Sequence, residues 1–364
     1  MKIDFANIQK AYKEHQAEFE QVTLEVMSSG RYILGKETEE FEVGLNQFVG
    51  SKFALGCSSG TDALLLALMA LGIGPNDEVI TTPFTFIATG ETIAFMGARP
   101  VFVDICEKTY NIDVTKIEKA ITKKTKAIMP VSLYGQMSDM TEINKIAEKY
   151  NLAVIEDAAQ SFGALYKGKR SCNASIIGCT SFFPAKPMGC FGDGGAVFTS
   201  NEELNDKMKA MRVHGQVQRY THKYIGMGGR LDNIQAAILN VKLKHYQSDI
   251  ERRQWVANQY SKALTGHAVI PYIKEDRSSV WAQYTIRLEN REKVQSALNE
   301  LGIPTAVHYP IPMHLQECFQ YLGYKKGDFP ISENCANEVM SLPMNPYLTL
   351  EDIEYITNNL IKII

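Results

Sequence analysis

Two residues of this sequence could act on one reacting carbon. Asp157 ends the apolar run LAVIEDA, and Lys186 follows 29 residues later in SFFPAKPMGCFGDGG. An acid at the carboxyl end of a parallel strand points into the crevice where open α/β sheets bind ligands. The lysine stands in a loop punctuated by Pro184, Pro187 and Gly189, between two apolar runs, and belongs to no helical solvent stripe. A lysine withdrawn from water has a lowered pKa and reacts with an aldehyde to form an imine, after which it can shuttle protons. Each residue alone has an ordinary reading, a cap or surface acid for Asp157 and a solvated loop lysine for Lys186. The 29-residue interval is about one strand–loop–strand excursion, which would let the two converge on one ligand.

A third piece is CSSGTDALLLALMALG, where small residues open directly into an apolar helix. Exposed N–H groups and the dipole at such a helix start favour a phosphate, although a plain N-cap has the same sequence. Gly60 allows close backbone approach, Thr61 adds a hydroxyl donor, and Ser181, five residues before Lys186, could add another. Phe86, in TTPFTFIATGET, could stack on a planar ring or simply pack in a core. Gln160, three residues after Asp157, could reach a ring substituent or stay on the surface. Pyridoxal phosphate (PLP) needs this combination: an imine-forming lysine, a phosphate site, and a carboxylate that keeps its pyridine nitrogen protonated so the ring can accept electrons.

The elements that would position these residues follow from the pattern of apolar runs. FALGCS, EVITTP, RPVFVDI, KAIMPVSLY, LAVIEDA, CTSFF and GGAVFTS read as strands. TDALLLALMALG, FIATGETIAFMG, MSDMTEINKIAEKYN and the segment after Asn201 read as helices between them. Such alternation predicts βαβ units and a mostly parallel sheet, mixed where FALGCS, CTSFF and GGAVFTS lack intervening helices. A helical pattern runs from Arg230 to about Leu264, followed by a strand-like VWAQYTIRLEN, a helix EKVQSALNELG and Pro-rich loops. We expect a large α/β domain over 1–245 and a small α+β domain over 246–364.

Composition narrows the class. The 364 residues are 45% hydrophobic and 22% charged, with net charge −3. This predicts a globular protein with no nucleic-acid or membrane surface. The N-terminus has no signal-type apolar run, so the expected compartment is the cytoplasm. Seven cysteines without a CxxC predict reduced thiols and no metal centre. No G-x-G-x-x-G follows the first strand, which removes a nicotinamide-binding reading.

In their order, GTDALLLAL, PFTFIAT, PVFVDI with TYNID, PVSLYGQ, VIEDAAQSFGA, SFFPAKPMGCFGDGGA, RLDNIQAAIL and AVHYPIP resemble the DegT/DnrJ/StrS family of sugar aminotransferases. The resemblance spans about residues 30–345. It implies a fold-type-I PLP-dependent transferase with an aspartate-aminotransferase-like large domain, forming a homodimer with active sites at the subunit interface. It implies Lys186 as the Schiff-base lysine, Asp157 at the pyridine nitrogen, Phe86 on the ring, and Gly60, Thr61 and Ser181 on the phosphate. Gln160 lies beside the ring, and no metal is involved. The family has an asparagine two residues before the arginine of RLDNIQAA, used on the partner's phosphate; here that position is Gly228. Arg230 does match and reaches across the interface. RSCN at 170–173, FFPAKP and AVHYPIP resemble members that aminate UDP-2-acetamido-2-deoxy-3-oxo-D-glucuronate, with L-glutamate as donor. Arg230, His308 and Tyr309 would then bind the sugar or its acid, since a carboxylate favours a guanidinium fork. Rival readings are an amination of dTDP- or UDP-linked 3-keto or 4-keto deoxysugars, a dehydratase, which would carry histidine in place of Lys186, and a non-catalytic regulator on the same fold.

Overall fold

The structure is a computed structural model and describes residues 3–364. The first two residues of the expected large domain lie outside that range.

Seven short apolar segments form one sheet: β1 (Phe53–Cys57), β2 (Glu78–Thr81), β3 (Arg99–Phe102), β4 (Thr125–Ile128), β5 (Ala153–Asp157), β6 (Ile177–Ser181) and β7 (Gly195–Thr199). Their order is β1-β7-β6-β5-β4-β2-β3. Every neighbouring pair is parallel except the two that include β7. All seven expected strands are present, and the sheet is mixed where no long helix separates the runs. The antiparallel β7 has a consequence for the site. Because β1 and β6 both oppose it, they point the same way as β2 and β5, and their carboxyl ends lie along one edge.

Helices cover both faces, as the near-continuous apolar strands require. On one face α3 (Gly60–Ala70) packs Leu64, Leu66 and Leu68 with Leu55, Ile155, Ile177 and Val197. On the other, Phe41 and Leu45 of α2 (Lys36–Val49) and Leu239 and Tyr246 of α5 (Asn233–Leu264) meet Ala54, Ala196 and Phe198. The alternation of neighbouring strand residues between the two groups is the period-2 rule of a pleated strand. α4 (Ile87–Phe95) follows β2, and α1 (Gln16–Ser29), ahead of α2, lies along α5, with Phe19 packed on Ile238 and Val241.

The long helix begins later than its pattern suggests. Arg230 bridges Cys57 and Asp232 bridges Ile33, so residues 230–232 are extended and the helix starts at Asn233. Backbone pairing at the end of β1 outweighs the local helical pattern. The helix then runs unbroken through residue 245. Its second half, Val256, Ala257, Tyr260 and Leu264, enters a separate core with α6 (Arg291–Glu300), α7 (Leu350–Ile363) and the antiparallel pair β8 (Tyr284–Arg287) and β9 (Val339–Leu342). Ile3 joins that core too, so the start of the chain packs with its end.

Glu156 shows how β5 is fixed. Its side chain is fully buried and points away from that of Asp157. It accepts hydrogen bonds from Ser132 Oγ (2.9 Å), Ser171 Oγ (3.0 Å) and the Cys172 N–H (2.8 Å). The RSCN segment therefore works as a clasp on this carboxylate. Glu156→Ala leaves three buried donors without their acceptor and should destabilise the fold by roughly 2 kcal/mol or more. Denaturant unfolding should show a lowered midpoint; an unchanged midpoint refutes the clasp.

Candidate active site

At the shared sheet edge, β1 runs into the start of α3. Ser59 caps that helix, its hydroxyl accepting from the Asp62 N–H at 3.0 Å, and the Ser58 hydroxyl donates to the Asp62 carboxylate. Two glycines let the helix start sit close to its neighbours. A Cβ on Gly60 would stand 2.6 Å from Ser181 Cβ, and one on Gly195 would stand 2.4 Å from the Ser59 carbonyl. The N–H groups of Gly60 and Thr61 thus open beside the Ser181 hydroxyl, a cradle suited to a phosphate.

Asp157 closes the next parallel strand and is buried. Its Oδ2 accepts from Thr89 Oγ1 at 2.7 Å and its Oδ1 from the Ala159 N–H at 3.2 Å. Thr89 is one turn into α4, beside the hydroxyl of Thr85 at 3.2 Å. Burial pushes the carboxyl above its usual range, while Thr89, the Ala159 N–H and the charge of Lys186 pull it back. Lys186 shows the opposite shift. Its side chain is half-buried at the cleft, and desolvation lowers its ammonium below the usual lysine value while Asp157 opposes that. The two expected partners are therefore close enough to feel each other's charge.

Around them stand the remaining residues. Phe86 ends the turn after β2 and is 53% exposed, its ring 5.9 Å from that of Tyr309. Gln160 is buried and its orientation is fixed from both ends: its Oε1 accepts from the Tyr134 N–H (2.8 Å) and its Nε2 donates to Tyr309 Oη (3.0 Å). His308 Nδ1 and Ser341 Oγ on β9 are 2.9 Å apart. Burial, reinforced by the Lys186 charge, holds its imidazole down to about 4. It is neutral at physiological pH.

Gly60, Thr61, Phe86, Asp157, Gln160, Ser181, Lys186, His308 and Tyr309 all line one cleft of about 480 Å³, within the usual size of small-molecule sites. Arg230 does not line it; its backbone pairs with Cys57 behind the α3 start. Gly228 lies next to the His214 imidazole, 3.2 Å from where its Cβ would be. Four polar cleft residues were missed in the sequence: Thr85, Thr89, Asp193 and Gln283. Thr85 and Thr89 are four apart at a helix start, a spacing that brings their hydroxyls together. Gln283 carries no such signal, yet its Oε1 is buried without a hydrogen-bond partner.

The residues fit the expected cofactor. A glycine-lined cradle, a buried acid with one hydroxyl support, and a desolvated lysine open to the same cleft are the donor set that PLP requires.

A family model described as the DegT/DnrJ/EryC1/StrS aminotransferase family matches residues 13–361. A Pseudomonas aeruginosa protein named UDP-2-acetamido-2-deoxy-3-oxo-D-glucuronate aminotransferase is 52% identical over 332 residues, covering 91% of this chain and 92% of its own. Among solved structures, Streptomyces venezuelae DesV superposes with a TM-score of 0.97 at 38% identity, covering 99% of this chain and 98% of that one. NtdA of Bacillus subtilis, with bound cofactor PMP, gives 0.92 at 34% identity, covering 100% of this chain and 85% of that one.

The depressed imidazole of His308 has a consequence for stability. Below the unfolded value of 6.5 the unfolded chain binds a proton that the folded chain refuses until about 4. Stability is therefore lost as pH falls through that window. His308→Asn should flatten this part of a urea-midpoint series between pH 7 and 4. The same slope in both proteins would remove His308 as its source.

Proposed function

The chain belongs to the DegT/DnrJ/EryC1/StrS aminotransferase family, and from that membership we propose that it transfers an amino group from L-glutamate to the C3 keto group of a nucleotide-linked sugar. The favoured acceptor is UDP-2-acetamido-2-deoxy-3-oxo-D-glucuronate, the substrate in the name of the 52% identical relative. The observation that carries the reading is the single cleft in which Lys186, Asp157, Ser181 and the Gly60–Thr61 helix start meet. Its setting would be surface polysaccharide biosynthesis in the cytoplasm. Among the described residues, no helix is long and apolar enough to cross a membrane.

When bound, PLP supplies the electron sink that lets an amino group and a proton change places. Gly60, Thr61 and Ser181 would hold its phosphate, and Phe86 and Gln160 its ring. Asp157, supported by Thr89, would pair with the ring nitrogen and keep a proton there. Lys186 would be the anchoring lysine, and desolvation favours the neutral amine that this requires. As a free amine, Lys186 Nζ would take the proton from the α-carbon of glutamate and later give a proton to C3 of the sugar. Two half-reactions in one cleft give ping-pong kinetics. His308, neutral, and Tyr309 contact the sugar from residues 246–364, the proposed small domain. Residues 1–245 are the proposed large domain.

Arg230 lies outside the cleft of its own chain, and this supports a homodimer in which it reaches the partner's sugar or its carboxylate. Exposed Tyr32, Ile33, Leu34, Val217, Tyr220 and Ile225 offer apolar surface for such an interface.

Lys186→Ala should lower multiple-turnover transamination by about 1,000-fold or more. Borohydride treatment of the wild type should place the reduced label on Lys186. Repeated turnover by the variant, or label on another lysine, refutes the assignment. The acceptor is tested with a panel of UDP- and dTDP-linked 3-keto and 4-keto sugars, including the hexuronate, each with glutamate. A higher kcat/KM on a sugar lacking the carboxylate rejects the favoured substrate. For the dimer, inactive Lys186→Ala and Arg230→Ala chains mixed and reassembled should regain activity, because one mixed site has both residues intact. No recovery places Arg230 in its own chain's chemistry or outside it altogether.

A further inference from the structure

On the far side of the Lys186 loop from the cleft, α1 crosses α5. His15 caps the start of α1, Glu18 lies one turn further, and His245 projects from the middle of α5. The three side chains converge on one carboxylate oxygen. Glu18 Oε1 is 3.1 Å from His245 Nε2 and 3.5 Å from His15 Nδ1. All three ligand-type atoms lie within 4.8 Å of one another, and all three residues are half-buried. The two imidazoles are stacked, with centroids 3.7 Å apart and planes 10° from parallel.

We propose that His15, Glu18 and His245 form a binding site for a divalent transition ion of the zinc type. A tetrahedral zinc with His and carboxylate ligands at ~2.0–2.2 Å places its ligand atoms roughly 3.3–3.6 Å apart. The His15–Glu18 edge of 3.5 Å falls within that range and the His245–Glu18 edge of 3.1 Å is slightly shorter. Two imidazoles and a carboxylate suit zinc and its neighbours rather than magnesium or calcium, which take oxygen ligands. To ligate one ion, the two rings turn out of their face-to-face stack so that each in-plane lone pair meets the metal. Asp249, one turn after His245 on α5, lines a small cavity with His15 and His245 and can complete the coordination through a water. Lys186, Lys242 and Arg253 also line this cavity and oppose a cation, against Asp249 in its wall and Glu18 beside it. The cavity's remaining wall includes Pro184, Pro187 and Gly189. An ion here would clamp α1 to α5 directly behind the loop that carries the reactive lysine.

The test uses the cofactor-loaded enzyme after dialysis against EDTA. Zinc is titrated in competition with a chromophoric chelator, with magnesium as control. We expect one zinc per chain at this site, no competition by magnesium, and a higher unfolding temperature with zinc. His245→Ala and His15→Ala should each weaken that binding about 100-fold or more and abolish the temperature shift. Circular dichroism and the bound-cofactor absorbance check that both variants fold. Zinc held equally well by either folded variant, for example through the exposed thiol of Cys318, overturns the site. So does the absence of zinc binding to the wild type. The transamination assignment stands or falls separately on Lys186.

Discussion

The cleft depends on a lysine and an aspartate that burial drives toward neutrality and that oppose this for each other. Desolvation raises the Asp157 carboxyl and lowers the Lys186 ammonium, and the attraction between the two acts against both shifts. Neither group would be useful fully neutralised or fully solvated. An acid meant to hold a proton on a ring nitrogen must stay ionised when that nitrogen is present. An amine meant to attack a carbonyl must be able to lose its proton near neutral pH. The Thr89 hydroxyl and the Ala159 N–H hold Asp157 toward its charged form without adding a second formal charge. Another cation beside Asp157 would have served it equally well but would have depressed Lys186 further.

That balance requires the side chains to come from elements that cannot drift. Parallel strands bring the ends of β1, β2, β5 and β6 to one edge, and the antiparallel β7 joins β1 to β6 so that the phosphate cradle lies beside the lysine loop. The tolerance is small. Gly60 and Gly195 are the places where a single Cβ would push α3 off the strands. On the reverse face of β5, Glu156 binds the 171–172 turn, and the charged pair Glu42–Arg212 ties the backbone of Gly56 on β1. These buried polar contacts sit behind the cleft and specify where its walls stand.

Much of this was legible in the sequence. The seven strand segments were readable because each is a short apolar run bounded by Gly, Pro or polar residues, and buried strands leave little room for another pattern. Asp157 and Lys186 were readable for a related reason: a charged residue at the end of an apolar run has to be accounted for. Thr89 and Gln283 were not. A threonine early in a helix and a glutamine beside a strand are chemically common, and their meaning comes from what faces them in space. The late start of α5 was hidden because Arg230 and Asp232 fit a helix locally and are drawn away by pairing with Cys57 and Ile33. RSCN was readable as a family mark, yet its observed contacts hold Glu156, on the face away from the cleft.

In the proposed reading, the layout also separates chemistry from recognition. Gly60, Thr61, Phe86, Asp157, Ser181 and Lys186 stand on the sheet edge or its loops, whereas Gln283, His308 and Tyr309 come from the far side of α5. His308 is positioned through Ser341 on β9, and Tyr309 through Gln160, so one of the two is anchored in each half. A neutral imidazole and a phenol can hydrogen-bond to hydroxyls and carboxylates alike, which makes them adaptable to a sugar ring. If His308 and Tyr309 meet the sugar as proposed, substitutions in the C-terminal half alter which ring is accepted without disturbing the lysine–aspartate balance. The rigid helix α5 crosses both cores and keeps the two sets in register. A change of sugar thus needs new side chains at the mouth of the cleft and leaves the sheet edge as it is.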